Sequence, residues 1–244
     1  MTLAPDTEDR IARHWAERLD CWPAAFEDPG ATATTNPNEG TVRLIRRGES
    51  LVVAAPEAVR DPLDARRETL ADADLPVTEV VERALADHEA SVDAVHGPYF
   101  LGYVDEPSFS PVDTDARLLV GADRDAFDRL QERVPEAEWA RASPVFRPGQ
   151  TAGLFVDDEL AAVATLTHLP FPDVGVVVDP EHRGRGYGRA VVSTITSTAF
   201  DVDRDAIVRY RTLASDSASV ALAESLGYER WATSAVLVLD QGSP

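Results

Sequence analysis

The segment from Val174 to Arg189, VGVVVDPEHRGRGYGR, places three glycines and three arginines directly after a run of valines. Glycine permits positive φ angles and lets a ligand approach the backbone closely. If a helix begins near the last glycine, its unpaired N–H groups and its dipole form a site for an anion. Arg183, Arg185 and Arg189 add local positive charge to this site, so the pattern predicts a polyphosphate ligand.

Two other glycine motifs that bind phosphates fit this segment poorly. A P-loop needs a lysine after its last glycine, and all 23 basic residues of this chain are arginine. The dinucleotide fingerprint is G-x-G-x-x-G, whereas Gly184, Gly186 and Gly188 give G-x-G-x-G late in the chain. The remaining alternative is a tight turn with solvated arginines and no ligand.

The elements around the segment must hold it in place, and their order predicts a mixed α/β sheet. The apolar run 174–178 is typical of a buried central strand, and a helix is expected over about 187–199. Before them we predict a short strand, two helices and a hairpin that turns at Asp157, Asp158 and Glu159. After them we predict a strand, a helix and a last strand, giving the order β-α-α-β-β-β-α-β-α-β.

The N-terminal half has its own pattern of helices and strands. A helical stripe, a hairpin around Gly48 and two helices separated by Pro76 precede the strand-like stretch VHGPYFLGYVDE. The following residues, 106–115, are rich in Pro, Ser and Asp, which is typical of a linker. We therefore predict an α+β domain over 1–115, which shapes a substrate site or a dimer surface, and a second domain over 116–244.

Composition excludes several classes of protein. With 23 basic and 43 acidic residues the net charge is −20, which argues against nucleic acid and anionic membranes as partners. No apolar run reaches the roughly 18–20 residues of a membrane span, and the N-terminus lacks the pattern of a signal peptide. The single cysteine, Cys21, excludes an internal disulfide and a cysteine-cluster metal site. We expect a cytoplasmic protein without a metal.

The acidic, lysine-free composition also predicts a halophilic protein. Self-repulsion among the excess carboxylates is screened by a salt-rich cytosol, so such a surface is tolerated there. A GC-rich genome is the alternative explanation, because it too favours arginine over lysine. That alternative leaves the acidic excess unexplained.

Two motifs resemble the GNAT superfamily, the acetyl-CoA-dependent N-acetyltransferases. The family's pyrophosphate loop reads Gln/Arg-x-x-Gly-x-Gly/Ala after V-x-P, and Arg183, Gly186 and Gly188 after Val178-Asp179-Pro180 match it. The stretch ASDSASVALAESLGY at 214–228 is similar to the family's N-x-x-A/S-x-x-L-Y-x-x-L-G-F. The resemblance covers about residues 116–240 and implies a GNAT-type acyltransferase fold with an additional N-terminal α+β domain.

The resemblance implies a site for acetyl-CoA and a reaction. The backbone of the central strand would pair with the pantetheine arm, the next strand would splay away, and the glycine loop would hold the pyrophosphate. The implied cofactor-binding residues are Val176, Val177, Val178, Arg183, Gly184, Arg185, Gly186, Tyr187, Gly188, Arg189 and Asp216. The implied activity is direct transfer of an acetyl group to a primary amine, without a metal and without a protein nucleophile.

Three positions depart from the family pattern. Asp216 stands where an asparagine often contacts the cofactor, and Ala223 stands where a tyrosine often protonates the leaving thiolate. Arg211 stands where the branch that acetylates protein N-termini has a glutamate base. The departures keep other functions open: a catalytically weak acyl-CoA-binding or sensing module, transfer of a larger acyl group, or a structural protein with a vestigial loop.

The attacking amine must lose a proton, and two residues near the central strand are candidate bases. Asp173 directly precedes this strand, and His168 closes the strand before it. The alternatives are a solvated loop acid and a surface histidine beside a turn. Tyr228 is a candidate proton donor, although a core aromatic is the favoured interpretation. The expected acceptor is a small-molecule or peptide amine, and a homodimer is one option for the assembly.

Overall fold

A computed structural model describes residues 2–36, 38, 40–86, 91–167 and 170–240. In the described part up to residue 104, helices and strands occur in this order: α1 (Pro5–Arg18), β1 (Gly30–Thr35), β2 (Thr41–Arg47), β3 (Ser50–Ala55), α2 (Glu57–Asp64), α3 (Arg67–Asp72), α4 (Thr78–Leu85) and β4 (Ser91–Val104). The predicted hairpin around Gly48 is confirmed as β2 and β3, and the predicted break at Pro76 falls between α3 and α4.

From residue 117 onward the predicted order of elements is confirmed. The elements are β5 (Arg117–Leu118), α5 (Arg124–Arg133), α6 (Glu136–Ala142), β6 (Thr151–Val156), β7 (Glu159–Leu166), β8 (Val174–Val178), α7 (Tyr187–Val202), β9 (Val208–Leu213), α8 (Ser217–Ser225) and β10 (Glu229–Asp240). The turn between β6 and β7 has φ of 50° at Asp157 and 66° at Asp158, as a two-residue turn of type I′ requires.

The strands form two sheets. One has the order β5-β6-β7-β8, and all of its neighbouring strands are antiparallel. The other has the order β1-β3-β2-β10-β4-β9. There β1 runs parallel to β3, and β2 pairs antiparallel with both β3 and β10. The C-terminal strand is therefore hydrogen-bonded to the N-terminal hairpin, a long-range pairing that the chain order alone does not predict. The mixed α/β fold class is confirmed.

The chain folds as two compact units, and each draws on separate stretches of sequence. The first contains residues 102–211 and 218–229, and the second contains residues 5–101, 212–217 and the stretch from residue 230 onward. The predicted division into a domain over 1–115 and a domain over 116–244 concerns which parts fold independently. That division stays a prediction. No helix in the described ranges combines the length and the apolar character needed to cross a membrane.

The core of the second unit lies where β2, β3 and β10 pack against α2, α3 and α4. Alternate residues of the strands face this core, among them Leu44, Val53 and Leu237, which are fully buried or nearly so. Arg46 closes one end of α3, because its guanidinium donates hydrogen bonds to the carbonyls of Leu70, Ala71 and Ala73 at 2.8–3.1 Å. These carbonyls at a helix C-terminus lack partners within the helix.

The first unit sandwiches its four-stranded sheet between helices. Phe127 and Leu130 of α5 pack with Val163 of β7 and Val177 of β8 on one face. Helix α7 covers the opposite face, on the side of Val176 and Val178. The alternation of side chains along β8 therefore serves two apolar layers, which explains its nearly continuous valine sequence.

The stretch predicted as a linker is an extended segment packed within the first unit. Ser108 is buried, and Gly227 lies so close to it that a Cβ on Gly227 would come within 2.1 Å of the Ser108 carbonyl oxygen. The N–H of Ser110 donates to the Leu226 carbonyl at 3.0 Å, and the N–H of Val112 donates to the Ser193 hydroxyl at 2.9 Å. The segment rich in Pro and Ser is therefore an extended stretch that crosses α7 and is hydrogen-bonded to it.

Candidate functional site

A fork between two strands opens beside the valine run. The start of β8 meets β9 in one isolated parallel bridge, Asp173 to Arg209, where the Arg209 N–H donates to the Pro172 carbonyl at 2.8 Å. Beyond it, β8 pairs only with β7 among the described residues, and β9 belongs to the other sheet. Along 174–178 the edge of β8 away from β7 is therefore without a strand partner in the described chain, and the expected splaying is present.

The glycine loop lies at the open end of this fork. After β8, a one-turn 3-10 helix over Pro180–His182 leads into the loop, and α7 begins at Tyr187. Gly184 and Gly186 have φ of 75° and 82°, and a Cβ on either would meet no atom of the described residues within 4 Å. The two glycines therefore combine a left-handed backbone with open space, directly before the N–H groups at the start of a 16-residue helix.

Gly188 differs from the other two glycines because it is buried. A Cβ there would lie 2.9 Å from the Leu222 side chain and 3.2 Å from Val178. Absence of a side chain at Gly188 lets the first turn of α7 approach β8. The third glycine of the motif thus has a packing role that the sequence did not indicate.

The three arginines of the loop are arranged differently from one another. Arg183 is paired with Glu138 of α6 at 2.5 Å, and both side chains are about half exposed. Arg189 donates to the Ser225 carbonyl at 3.2 Å, at the end of α8. Arg185 is exposed. The positive charge that the sequence places at this loop is therefore partly offset by an acidic partner.

Asp173 forms an ion pair at the closed end of the fork. Its Oδ2 atom accepts a hydrogen bond from Arg209 at 2.9 Å, and both side chains are about one-seventh exposed. Burial lowers the pKa of Arg209, but the Asp173 carboxylate and Tyr103 outweigh that effect, so the pKa lies above its ordinary value. The other carboxylate oxygen of Asp173, Oδ1, is buried and has no hydrogen-bond partner in the described structure. One oxygen of the candidate base is thus held by an arginine and the other is not.

The remaining sequence candidates lie in different surroundings. His168 lies outside the described residues. Asp216 is exposed in the turn before α8, within the second unit, and its N–H donates to the Leu213 carbonyl at 3.0 Å. Ala223 is fully buried on α8, whereas Arg211 is exposed on β9. Ala223 therefore supplies no hydroxyl in place of the family's tyrosine, and Arg211 supplies no carboxylate in place of the family's glutamate.

Tyr228, the candidate proton donor, belongs to the core together with Tyr210. The hydroxyl of Tyr228 is hydrogen-bonded to Thr196 at 2.7 Å, and the ring packs edge-on against Tyr210 at 5.5 Å. Burial raises the pKa of Tyr228 well above its usual range. The core interpretation is therefore confirmed. Cys21 is half-buried, and burial with the nearby Asp20 raises the pKa of its thiol to about 11, so it is protonated at neutral pH.

Two arginines, Arg209 and Arg133, fix the backbone around the site, and the sequence did not indicate either of them. Arg209 secures the closed end of the fork, and the only signal for it was a charged residue in an otherwise half-buried strand. Arg133, at the end of α5, binds the buried carboxylate of Asp179 just before the glycine loop. The two residues are 46 positions apart, so nothing local could have indicated their contact.

The strand fork with a glycine loop at a helix start is the arrangement that the sequence resemblance to the GNAT superfamily implies. Sequence comparison gives the same class, because residues 117–228 match the acetyltransferase (GNAT) family. The protein therefore contains a GNAT-type acetyltransferase domain over residues 117–228. No protein of curated function matches the sequence.

Solved structures of three acetyltransferases are similar to the chain over different lengths. An acetyltransferase from the GNAT family of Novosphingobium aromaticivorans is 26% identical, with a TM-score of 0.46, over 64% of this chain and 69% of that chain. A GCN5-related N-acetyltransferase from Kribbella flavida is 18% identical, with a TM-score of 0.48, over 97% and 96%. The ribosomal-protein-S18-alanine N-acetyltransferase of Escherichia coli is 19% identical, with a TM-score of 0.37, over 51% and 90%.

Proposed function

We propose that the protein transfers an acetyl group from acetyl-CoA to a primary amine by direct attack of the amine. The observation that carries the proposal is the strand fork, with an unpaired edge of β8 that ends in the glycine loop and the start of α7. Such an edge offers backbone hydrogen bonds to an extended amide-containing arm, and the loop offers N–H groups to a diphosphate. These two features support a binding path for coenzyme A that runs along β8 to the loop.

The residues present fit the cofactor by chemistry as well as by position. Backbone groups of Val176, Val177 and Val178 would pair with the two amides of the pantetheine arm. The open space at Gly184 and Gly186, where a Cβ would meet nothing, would admit the diphosphate. It would be held by backbone N–H groups of the loop over Arg183–Arg189, with Arg185 and Arg189 contributing charge. Asp216, in the second unit, is a further candidate contact on the strength of the family resemblance alone.

The reaction needs bond exchange at one carbonyl carbon and a route for one proton. The thioester of acetyl-CoA supplies the activated acyl group. The amine lone pair forms the new C–N bond, the C–S bond breaks, and the sulfur leaves with its electron pair and takes up a proton. N–H groups on the splayed strand β9 would stabilise the carbonyl oxygen as it gains negative charge. Orientation of the amine against the thioester supplies much of the remaining rate.

We assign the proton removed from the amine to Asp173, directly or through one water. Its Oδ1 atom is buried without a partner in the described structure, and it lies at the closed end of the fork. The Arg209 guanidinium binds the other carboxylate oxygen, Oδ2, at 2.9 Å and so holds the Asp173 side chain in place. His168 remains the second candidate, on the strength of its sequence position alone. Protonation of the leaving thiolate would come from solvent, since Tyr228 is committed to the core.

The net charge of the chain favours one charge type of acceptor amine. An ammonium group is attracted to a chain of net charge −20, so a small-molecule or peptide amine that is cationic in solution is favoured over an anionic one. We propose no nucleic-acid or membrane partner for the same electrostatic reason. A cytoplasmic, salt-rich location and a homodimer are further parts of the proposal.

The proposal is tested by measuring coenzyme A release in about 1 M salt, with acetyl-CoA and a panel of small and peptide amines. We expect thiol release that depends on one class of amine, together with an acetylated product of the expected mass. If acetyl-CoA binds but no amine in the panel is acetylated, the second candidate function is supported. That function is an acyl-CoA-binding or sensing module, favoured by Ala223 and Arg211, which lack the family's proton-transfer groups. If acetyl-CoA does not bind, both functions are wrong.

A further inference from the structure

We propose that Arg133 is a positioning residue for the diphosphate of coenzyme A. It would act through Asp179 on the turn that leads into the glycine loop, without touching the ligand itself. This inference rests on the proposed function, because it concerns the same ligand. It adds α5, which lies outside the family's loop motif, to the elements that prepare the site.

Arg133 joins three separate pieces of the first unit. Its Nε atom donates to Oδ2 of Asp179 at 2.5 Å, and its Nη2 atom donates to the Leu160 carbonyl at 2.8 Å. Leu160 lies at the start of β7, and Asp179 directly follows β8. A single guanidinium therefore fixes the end of α5 against both strands. A planar group with several donors suits this task better than a lysine would.

Asp179 passes this constraint on to the turn. Its side chain is only 3% exposed, and its Oδ1 atom accepts a hydrogen bond from the Glu181 N–H at 3.0 Å. Its carbonyl accepts from the His182 N–H at 2.9 Å, and its own N–H donates to the Ala161 carbonyl at 2.9 Å. These three hydrogen bonds and the ion pair with Arg133 thus fix the backbone from 179 to 182, which ends two residues before Gly184. Glycine permits many backbone conformations, so the turn that precedes the loop is expected to set the direction of its glycines.

The buried carboxylate of Asp179 depends on its ion pair with Arg133. A buried carboxylate is costly unless it is paired and hydrogen-bonded. Burial raises the pKa of Asp179, but the hydrogen bonds from Arg133 and from the Glu181 backbone outweigh it, so the pKa lies below its ordinary value. Without Arg133 the carboxylate would turn toward water, and the turn would lose its fixed geometry.

The test compares two probes in Arg133→Met, one with a diphosphate and one without. Coenzyme A binding is measured by calorimetry, and acetyl transfer is measured with acetyl-CoA and with acetyl-pantetheine, which lacks the diphosphate. We expect Arg133→Met to raise the Kd for coenzyme A and the KM for acetyl-CoA about tenfold to a hundredfold, the usual range when a residue that orients a binding group is removed. We expect kcat, and turnover of acetyl-pantetheine, to stay within about twofold of wild type. Arg129→Met is the matched control, because Arg129 is exposed one helical turn earlier, and it should change none of these values.

A second variant keeps the test decisive if Arg133→Met folds poorly. Asp179→Asn removes the buried charge, and the double variant Arg133→Met/Asp179→Asn should bind coenzyme A no more weakly than either single variant. Additive losses in the double variant would overturn the inference. So would equal losses with both probes, or an unchanged Kd for coenzyme A in a destabilised Arg133→Met protein. If wild type does not bind coenzyme A, the proposed function fails first, and that result is distinct from a failure of Arg133 alone.

Discussion

Gly175 occupies a position in β8 where a side chain would meet another backbone. A Cβ there would come within 2.3 Å of the Ala142 carbonyl oxygen, at the end of α6. We predict that Gly175→Ala forces α6 away from the sheet and destabilises the protein by about 1–3 kcal/mol, the range for overpacking. Urea unfolding in high salt measures the change. Gly121→Ala is the control, since nothing lies within 4 Å of its Cβ, and equal loss in both variants would refute this account of Gly175.

Asp173 gives a prediction that separates a proton acceptor from a structural ion pair. Asp173→Asn should lower kcat about 10²–10⁴-fold near neutral pH, the usual contribution of a general base. The deficit should shrink as pH rises, because free amine then needs no base. The pH profile of kcat for wild type and variant measures this. A deficit of the same size at every pH would contradict the assignment and leave Asp173 as the partner of Arg209.

The pair between Arg133 and Asp179 links elements, and its contribution to stability depends on pH. The folded pKa of Asp179 is depressed, so the pair stabilises the fold above the unfolded value of about 3.9. That stabilisation is lost as pH falls through the folded pKa. The groups that face Asp179 are Arg133 and His182, whose Nδ1 lies 3.9 Å away. Wild type should therefore exceed Asp179→Asn in unfolding free energy most at neutral pH, and urea titrations at several pH values should show the gap closing in acid. A constant gap would exclude this linkage.

At the scale of elements, local sequence patterns were sufficient to predict the order of strands and helices. They did not predict which distant elements pair with each other. The order of strands and helices after residue 117, and the turn at Asp157 and Asp158, follow from periodicity and turn chemistry, which act over a few residues. The pairing of β10 with β2 and the contact of Arg133 with Asp179 join residues far apart in the chain. Nothing in a local pattern encodes these partners, because they depend on how finished elements pack.

In the candidate site, too, the features set by local sequence were predicted and the contacts between elements were not. The glycine loop was predicted because positive φ and open space are requirements that glycine alone meets cheaply, and both are present at Gly184 and Gly186. The packing role of Gly188 and the pairing of Arg183 with Glu138 were not predicted, since each depends on a neighbour from another element. The phosphate site itself stays a prediction, and the structure adds the ion pair of Arg183 with Glu138 that offsets part of its positive charge.

For the whole molecule, the net charge of −20 predicts a dependence of stability on salt. Repulsion between carboxylates reaches about 10 Å at 0.1 M salt and about 3 Å at 1 M salt, so low salt should destabilise the compact state. We expect the melting temperature to rise steadily as KCl increases over this range and beyond. Calorimetry in KCl and in a non-ionic osmolyte of equal water activity separates screening from hydration. A melting temperature indifferent to KCl would contradict the halophilic interpretation.

The central claim is that the loop over Gly184–Gly188 binds the diphosphate of coenzyme A. The most direct measurement is the Kd for coenzyme A, by calorimetry in about 1 M salt, for wild type, Gly186→Asn and Gly149→Asn. Gly149 has a φ of 76° and open space for a Cβ, so it matches Gly186 in backbone strain but lies away from the loop. We predict that Gly186→Asn raises the Kd about tenfold or more, roughly 1.4 kcal/mol, whereas Gly149→Asn leaves it unchanged. Equal affinity in all three proteins would contradict the claim.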